Sequence, residues 1–257
     1  SNYRVYRKSD VDTLFADFRN RLNSAKKLKS KNFIPAIAIH SPYSVHPFLV
    51  RETLNLARAE NLAVSSHFLE SPEEFAWLHK DEGSFLDFFK NFLGQEKAVS
   101  TPMEFLNLFS NIKNLSFTHC VEASEADLEK IRNLGASINH CVTSNRILNN
   151  SKLDLSKLED IPFTIGTDGL SSNNSLSMFD ELRNALMVHY EKNVIDFSNI
   201  LLKAATLNGA RALGLNKGTL QKEFDADMIT FSLPDEVEDM EDLPMQIILH
   251  TKFVDKT

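Results

Sequence analysis

Five short apolar runs in this chain each end in a side chain that can bind a metal or carry a proton. The runs are PAIAIH, LAVSSH, LSFTH, ASINH and FTIGTD, and they end at His40, His67, His119, His140 and Asp168. Runs of this length and composition are typical of buried parallel strands joined by crossover helices. In a β/α barrel the active site lies where the strands end. We therefore expect these five residues to converge on one site.

The order of predicted elements indicates an α/β fold of the TIM-like (β/α)8 barrel type. A helix over residues 10–29 comes first, and a helix over 47–60 follows the first strand. The predicted strands cover residues 33–39, 62–66, 115–118, 136–139 and 162–167. A closed barrel has eight β/α units, so about the last five are present. After Gly214 the sequence GTLQKEFDADMITFSL predicts a turn and a strand outside the barrel.

Composition and charge restrict the partners of this chain. Its 257 residues carry a net charge of −7, and KKLKSK is a short basic stretch, so a nucleic-acid partner is not indicated. No apolar run approaches the length of a membrane span, and the N-terminus lacks the apolar core of a signal peptide. We expect a cytoplasmic protein with a small-molecule substrate. Cys120 and Cys141 each follow a strand-end histidine, so alternation along the strand turns them away from the site and gives them a structural role.

Metal and proton chemistry is indicated by two of these segments. In HFLE, Glu70 lies three residues after His67, where it could donate or accept a proton beside a metal held by the imidazole. Taken alone, Glu70 could equally cap a helix or face solvent, and Asp168 could be a helix N-cap. Together, His67 and Asp168 suit zinc or ferrous iron. Catalytic zinc typically keeps three protein ligands, so we expect further ligands upstream.

Several other features have two interpretations. The aromatic segment SFLDFFKNFLG (residues 84–94) is either an amphipathic packing helix or a wall or lid of the substrate pocket. His140 either contacts substrate or forms a hydrogen bond that steadies the site. The polar residues that either contact substrate or form turns are Asn145, Ser172 and Asn173. The histidines outside the strand-end pattern, which we expect at the surface or in packing, are His46, His79, His189 and His250.

Five blocks of the sequence resemble the amidohydrolase superfamily, in the branch of cytosine-deaminase-like and chlorohydrolase-like enzymes. They are IHSPYSVHP, SHFLES, THCVEAS with INHCVTSN, IGTDGLSSNNSLSMFDELR, and ATLNGARALGL with GTLQKEFDADMI. The resemblance implies a distorted β/α barrel flanked by a small β-sandwich. On this basis residues 1–215 are expected to be the C-terminal part of the barrel, and residues 216–257 part of the sandwich.

The resemblance also implies a set of residue roles. One divalent metal, zinc or alternatively iron, would be held by a His-x-His pair together with His67 and Asp168. Glu70 would deliver a proton to the substrate ring nitrogen, and Asp168 would act as base for the attacking water. His119 would stabilise the developing tetrahedral centre. His40, Glu70 and His119 would contact the substrate.

The activity that the resemblance implies is hydrolytic deamination of an aminated heterocycle, in particular an adenine-type nucleoside. HFLESPEEFAWL followed by FLDFFKNFLG resembles the aminodeoxyfutalosine deaminases of menaquinone biosynthesis. The alternatives are deamination of methylthioadenosine or S-adenosylhomocysteine, and a chlorohydrolase, guanine deaminase or cytosine deaminase activity. A carboxylate on the substrate should recruit an Arg or Lys, whereas an apolar pocket would suit a thioether.

One departure from the family pattern affects these expectations. No His-x-His pair occurs in the sequence, and family members carry three strands ahead of the block that matches IHSPYSVHP. We therefore expect the chain to be the C-terminal part of a longer enzyme. An open sheet would expose an apolar edge, so the segment should need the missing part, a second chain or an intertwined homo-oligomer. In the alternative of another class, the chain alone is an inactive fragment that lacks metal ligands.

Overall fold

The computed structural model describes residues 8–252 and 255–256. The chain divides into two compact units, residues 1–136 and residues 137–257. Each unit contains parallel strands that alternate with helices, which confirms the predicted α/β class. The predicted change from barrel to sandwich at residue 216 stays a prediction.

The first unit has three parallel strands and six helices among its described residues. Its elements are α1 (Lys8–Lys27), β1 (Ile37–Ile39), α2 (Pro47–Glu60), β2 (Val64–Phe68), α3 (Pro72–Lys80), α4 (Ser84–Leu93), α5 (Pro102–Asn107), β3 (Leu115–His119) and α6 (Glu125–Asn133). β2 lies between β1 and β3, with Ile39 opposite Ser66 and Phe68 opposite His119. The carboxyl ends of the three strands therefore meet at one edge of the sheet.

Local sequence signals set the bounds of α2. Pro47 occupies the first turn, where its missing N–H costs nothing, and the His46 ring accepts the N–H of Phe48 at 3.2 Å. The helix ends at Asn61, whose backbone is left-handed with φ of 52°. These signals place the helix at Pro47–Glu60, as predicted from the sequence.

Aromatic side chains form much of the core of the first unit. Phe68 on β2 and Phe117 on β3 are fully buried, with ring centroids 5.7 Å apart. Phe105 and Phe109 extend this cluster, with ring centroids 4.9 Å apart. This packing fixes the sheet beneath the strand ends.

The second unit contains two parallel strands, a two-stranded antiparallel ribbon and five helices among its described residues. Its elements are β4 (Ser137–His140), α7 (Val142–Asn149), β5 (Phe163–Ile165), α8 (Met178–Val188), α9 (Val194–Lys203), α10 (Gly209–Ala212), β6 (Ile229–Thr230), α11 (Leu243–His250) and β7 (Asp255–Lys256). A π-helical turn at Ala204–Asn208 joins α9 to α10. β4 pairs with β5 in parallel, and β6 pairs with β7 antiparallel.

The core of the second unit lies between β5 and the helices that follow it. The buried residues of this core are Val142, Ile165, Leu182, Ala185, Leu186, Phe197, Leu201, Ala204 and Ile248. The predicted sandwich segment includes β6 and β7, while its residues 253–254 and 257 lie outside the described residues.

Among the described residues, no helix is both long enough and apolar enough to cross a membrane.

Candidate active site

Two of the predicted site histidines lie side by side where β1 and β2 end. The ring centroids of His40 and His67 are 5.3 Å apart. The carbonyl of His40 accepts two hydrogen bonds from His67, from the backbone N–H at 2.9 Å and from ring Nδ1 at 2.8 Å. Because a carbonyl only accepts, the proton of neutral His67 is on Nδ1 and the lone pair is on Nε2. A ring oriented in this way by a carbonyl is the usual form of a metal-ligating histidine.

His119 and Glu70 complete this group in the first unit. The His119 ring is fully buried and stacks on His67, with centroids 5.2 Å apart and planes inclined by 23°. His119 Nε2 lies 3.6 Å from Glu70 Oε1. The Glu70 side chain is 19% exposed, so it contacts both the buried imidazole and solvent. The structure thus brings together His40, His67, Glu70 and His119 at the strand ends.

The backbone at these strand ends is strained. Leu69, His119 and Cys120 all have left-handed conformations, with φ of 46°, 73° and 53°. Such conformations cost roughly 1 kcal/mol or more for residues other than glycine. Two hydrogen bonds hold the segments together, from Cys120 N–H to the Phe68 carbonyl at 2.9 Å and from Glu122 N–H to the Leu69 carbonyl at 3.0 Å. Strain that is held in place by surrounding bonds is typical of functional sites.

A cavity of about 760 Å³ opens beside His40 and His67 in the first unit. Its other lining residues include Tyr43 and aromatic side chains of α4. Within the described part of the chain, no Lys or Arg lines it. Burial raises the pKa of Tyr43 to about 12, with a further contribution from the nearby Glu74 carboxylate. The phenol of Tyr43 is therefore neutral, and it forms part of the wall of a largely apolar cavity.

The aromatic segment of α4 both packs on the unit and lines the cavity. Phe89 is buried, with its ring stacked on Trp77 at a centroid distance of 5.1 Å. Phe88 and Phe92 stack on each other at 5.1 Å, are 53% and 63% exposed, and line the cavity. One side of the helix therefore packs on the unit, and the other forms the cavity wall.

Asp168 lies in the second unit, in the loop after β5. Two buried hydroxyls donate to its Oδ2 oxygen, Ser144 Oγ at 2.8 Å and Ser172 Oγ at 2.9 Å. Its backbone is left-handed, with φ of 56°. Asn173 Nδ2 secures the same loop, since it donates to the Thr167 carbonyl at 2.7 Å. The carboxylate is thus held in one orientation.

Sequence reasoning missed two residues that support this loop. Ser144 is fully buried in the CVTSN block, where only the neighbouring Asn145 had been singled out. Glu181 is 1% exposed and accepts from Asn173 Nδ2 at 2.5 Å. For Ser172 and Asn173, these bonds favour the turn-forming interpretation over substrate contact. No local sequence pattern predicts these hydrogen-bond partners.

His140 forms a hydrogen bond within the second unit. Its Nε2 lies 2.9 Å from Nε2 of His189, and both rings are buried. Burial lowers the pKa of His189. This contact favours the steadying role of His140 over substrate contact and makes His189 a packing residue, as expected. The two cysteines, Cys120 and Cys141, are also buried, and burial raises the pKa of the Cys120 thiol.

Comparison with known proteins identifies the class. Residues 6–255 match the amidohydrolase family, and the chain belongs to it. It is 44% identical over 241 residues to an aminodeoxyfutalosine deaminase from Nitratiruptor, which covers 94% of this chain and 59% of the relative. It is 34% identical over 245 residues to an adenosine deaminase from Helicobacter pylori, which covers 93% of this chain and 59% of the relative.

A solved structure agrees with this assignment. The crystal structure of Helicobacter pylori aminofutalosine deaminase in complex with methylthio-coformycin superposes with a TM-score of 0.90 at 30% identity. The match covers 99% of this chain and 62% of that one. The chain therefore spans about three fifths of the length of the relatives it matches.

Proposed function

We propose that the intact protein is a metal-dependent hydrolytic deaminase of adenine-type nucleosides. The observation that carries the proposal is the group of His40, His67, Glu70 and His119 at the ends of three adjacent parallel strands. Such a reaction requires an imidazole that can bind a metal, a carboxylate, and a buried imidazole in contact with these groups. The names of the relatives supply the substrate class.

The donor set of the chain fits a divalent metal. His67 is oriented by the His40 carbonyl so that Nε2 carries the lone pair. In this proposal Asp168 is the second ligand, and zinc or iron is the ion. Because catalytic zinc typically keeps three or more protein ligands, these two residues form part of the ligand set. When bound, such an ion lowers the pKa of a coordinated water towards neutrality.

The chain's own residues then carry out the proton transfers. Asp168 takes a proton from the attacking water, and its orientation for this step is set by the hydroxyls of Ser144 and Ser172. The water oxygen bonds to the amino-bearing carbon, and Glu70 delivers a proton to the adjacent ring nitrogen. The proton taken by Asp168 passes to the exocyclic nitrogen, the bond from the carbon to that nitrogen breaks, and ammonia leaves. The added hydroxyl loses its proton to Glu70 and becomes the carbonyl of the product. His119, 3.6 Å from Glu70, hydrogen-bonds the oxygen that has been added, and His40 contacts the substrate.

The cavity in the first unit supports a nucleoside with a large apolar substituent. Phe88, Phe92 and Tyr43 form its aromatic lining beside His67. Such a wall suits an aryl group, as in aminodeoxyfutalosine, which is our first candidate substrate.

A second candidate, methylthioadenosine, is favoured by one observation. Within the described part of the chain, no Lys or Arg lines this cavity, so a carboxylate on the substrate has no cation there to pair with. A thioether needs no such partner. The two candidates are separated by comparing kcat/KM on both nucleosides.

The proposal is tested with Glu70→Gln in the intact protein. Because the amide cannot deliver the proton, kcat for ammonia release should fall about a hundredfold or more, while the metal content is unchanged. Glu73→Gln, an exposed carboxylate on the same segment, is the matched control and should keep full activity. Full activity of Glu70→Gln would overturn the assignment. Loss of metal in that variant would make Glu70 a ligand.

A further inference from the structure

Glu74 is a buried carboxylate in the first turn of α3 that the proposed chemistry does not use. Its side chain is 1% exposed. Its Oε2 accepts the backbone N–H of Glu70 at 2.9 Å. Its own backbone N–H donates to Ser71 Oγ, the N-cap of the helix, at 3.2 Å. The helix start and the backbone of Glu70 are therefore tied through one carboxylate.

The contact differs from the other helix starts of the same kind in this unit. In α5, Glu104 accepts the N–H of the N-cap residue Thr101 at 2.8 Å, and in α6 Asp127 accepts that of Ser124 at 3.0 Å. These are ordinary capping boxes, in which the carboxylate reaches back to the N-cap. Glu74 occupies the same third position of its helix but reaches one residue further, to Glu70. The Glu74 carboxylate therefore binds the backbone of the residue that precedes the N-cap.

A capping role neither requires nor excludes burial of the carboxylate. Glu104 caps α5 while exposed to solvent, whereas Asp127 caps α6 while buried. Burying a carboxylate is costly, and burial raises the pKa of Glu74 to about 7. Its Oε1 has no hydrogen-bond partner among the described residues. Burial of this carboxylate therefore costs free energy that an apolar side chain at the same position would not.

The segment that Glu74 holds also needs a restraint. Leu69, next to Glu70, has a left-handed backbone that a leucine rarely adopts. The peptide group between Leu69 and Glu70 supplies the N–H that Glu74 accepts at 2.9 Å. Fixing this peptide group restrains the Cα of Glu70, and from there its carboxylate reaches to 3.6 Å from His119.

We propose that Glu74 is a positioning residue that holds the backbone N–H of Glu70, so that the Glu70 carboxylate stays in line with His119 and the substrate. The proposal rests on the proposed function, in which Glu70 moves a proton. Misplacing a catalytic group by about 1 Å typically costs about a hundredfold in rate.

Three variants of the intact protein test the proposal. Glu74→Ala removes the acceptor, so kcat should fall about tenfold to a hundredfold with KM changed less than about threefold. Glu74→Gln keeps an acceptor oxygen in place and should restore kcat to within about threefold. Glu104→Ala, which removes an ordinary capping box, is the control and should leave kcat unchanged. If Glu74→Ala keeps full kcat, the proposal is wrong.

A double mutant separates positioning from a general structural role. In the Glu70→Gln background, Glu74→Ala should cause no further loss of kcat, because Glu74 acts through Glu70. A further tenfold loss there would refute the proposal in favour of a structural role. Amide exchange of the peptide around Glu70 should also become faster in Glu74→Ala, and unchanged exchange would contradict the restraint even if wild type releases no ammonia. Absence of ammonia from wild type would instead refute the proposed function alone.

Discussion

The pH dependence of stability should change in a defined way when Glu74 is replaced by Gln. Burial raises the pKa of Glu74 from its ordinary value of 4.5 to about 7 in the folded protein. Since the folded-state pKa is raised, the contribution of this group to stability is fully present below pH 4.5 and is lost as pH rises towards 7. With about 1.4 kcal/mol for each pKa unit, the loss between pH 5 and pH 8 is about 2.5 kcal/mol.

Gln cannot ionise, so Glu74→Gln should not show this loss. The free energy of unfolding, measured by urea denaturation at pH 5 and pH 8, should rise for the variant relative to wild type by about 2.5 kcal/mol between the two pH values. Glu104→Gln is the control. The backbone N–H of Thr101 lowers the pKa of Glu104 below its ordinary value of 4.5, so its contribution to stability is already present at pH 5. This variant should therefore show almost no change relative to wild type between pH 5 and pH 8.

A parallel pH dependence in wild type and Glu74→Gln would refute this reasoning. It would mean that the carboxyl titrates near its ordinary value, and that water reaches it in the folded protein.

Two further predictions concern the residues around the proposed reaction. Ser172→Ala removes one hydroxyl donor to Asp168, so kcat for ammonia release should fall about tenfold. Ser172→Thr keeps a hydroxyl and should keep most of the wild-type kcat. Equal activity of the two variants would contradict the orienting role of Ser172. Phe92→Ala should raise KM about tenfold for nucleosides with an apolar 5′ substituent and leave the KM for adenosine unchanged. An equal effect on both KM values would show that Phe92 does not determine specificity for the 5′ substituent.

Much of the fold follows from the local pattern of the sequence. The apolar runs that end in histidine are strands, and β3 ends at His119 as its run predicts. The helix after β1 has the predicted bounds, because Pro47 and Asn61 are strong local signals for its start and end. The predicted strand over residues 33–39 is shorter in the structure, where it covers Ile37–Ile39. Pro35 explains part of this, since it supplies no N–H to a ladder.

The site could be predicted in outline but not in its connections. Spacing places His67 and Glu70 at one strand end. The register of β1 against β2, with Ile39 opposite Ser66, places His40 beside His67, and this register is seen only in the structure. Alternation alone would put His119 on the opposite face from Thr118, which lies beside His67. The left-handed backbone of His119 departs from that pattern. The sequence gives no signal that a leucine or a histidine will adopt this left-handed conformation.

Supporting contacts between residues far apart in the chain also could not be predicted from the sequence. Ser144 and Asp168 are 24 residues apart, and His140 and His189 are 49 apart. Such pairs depend on how crossover connections pack, which periodicity does not encode. The reach of Glu74 to Glu70 is short in sequence, yet it looks like an ordinary capping pattern until the hydrogen bond is seen.

The most direct test of the central claim is ammonia release by the intact, metal-loaded protein from a panel of adenine nucleosides. The panel contains aminodeoxyfutalosine, methylthioadenosine, S-adenosylhomocysteine and adenosine. We predict one ammonia released for each nucleoside consumed, with loss of turnover when a chelator removes the metal. Metal-loaded protein that leaves all four nucleosides unchanged would contradict the account.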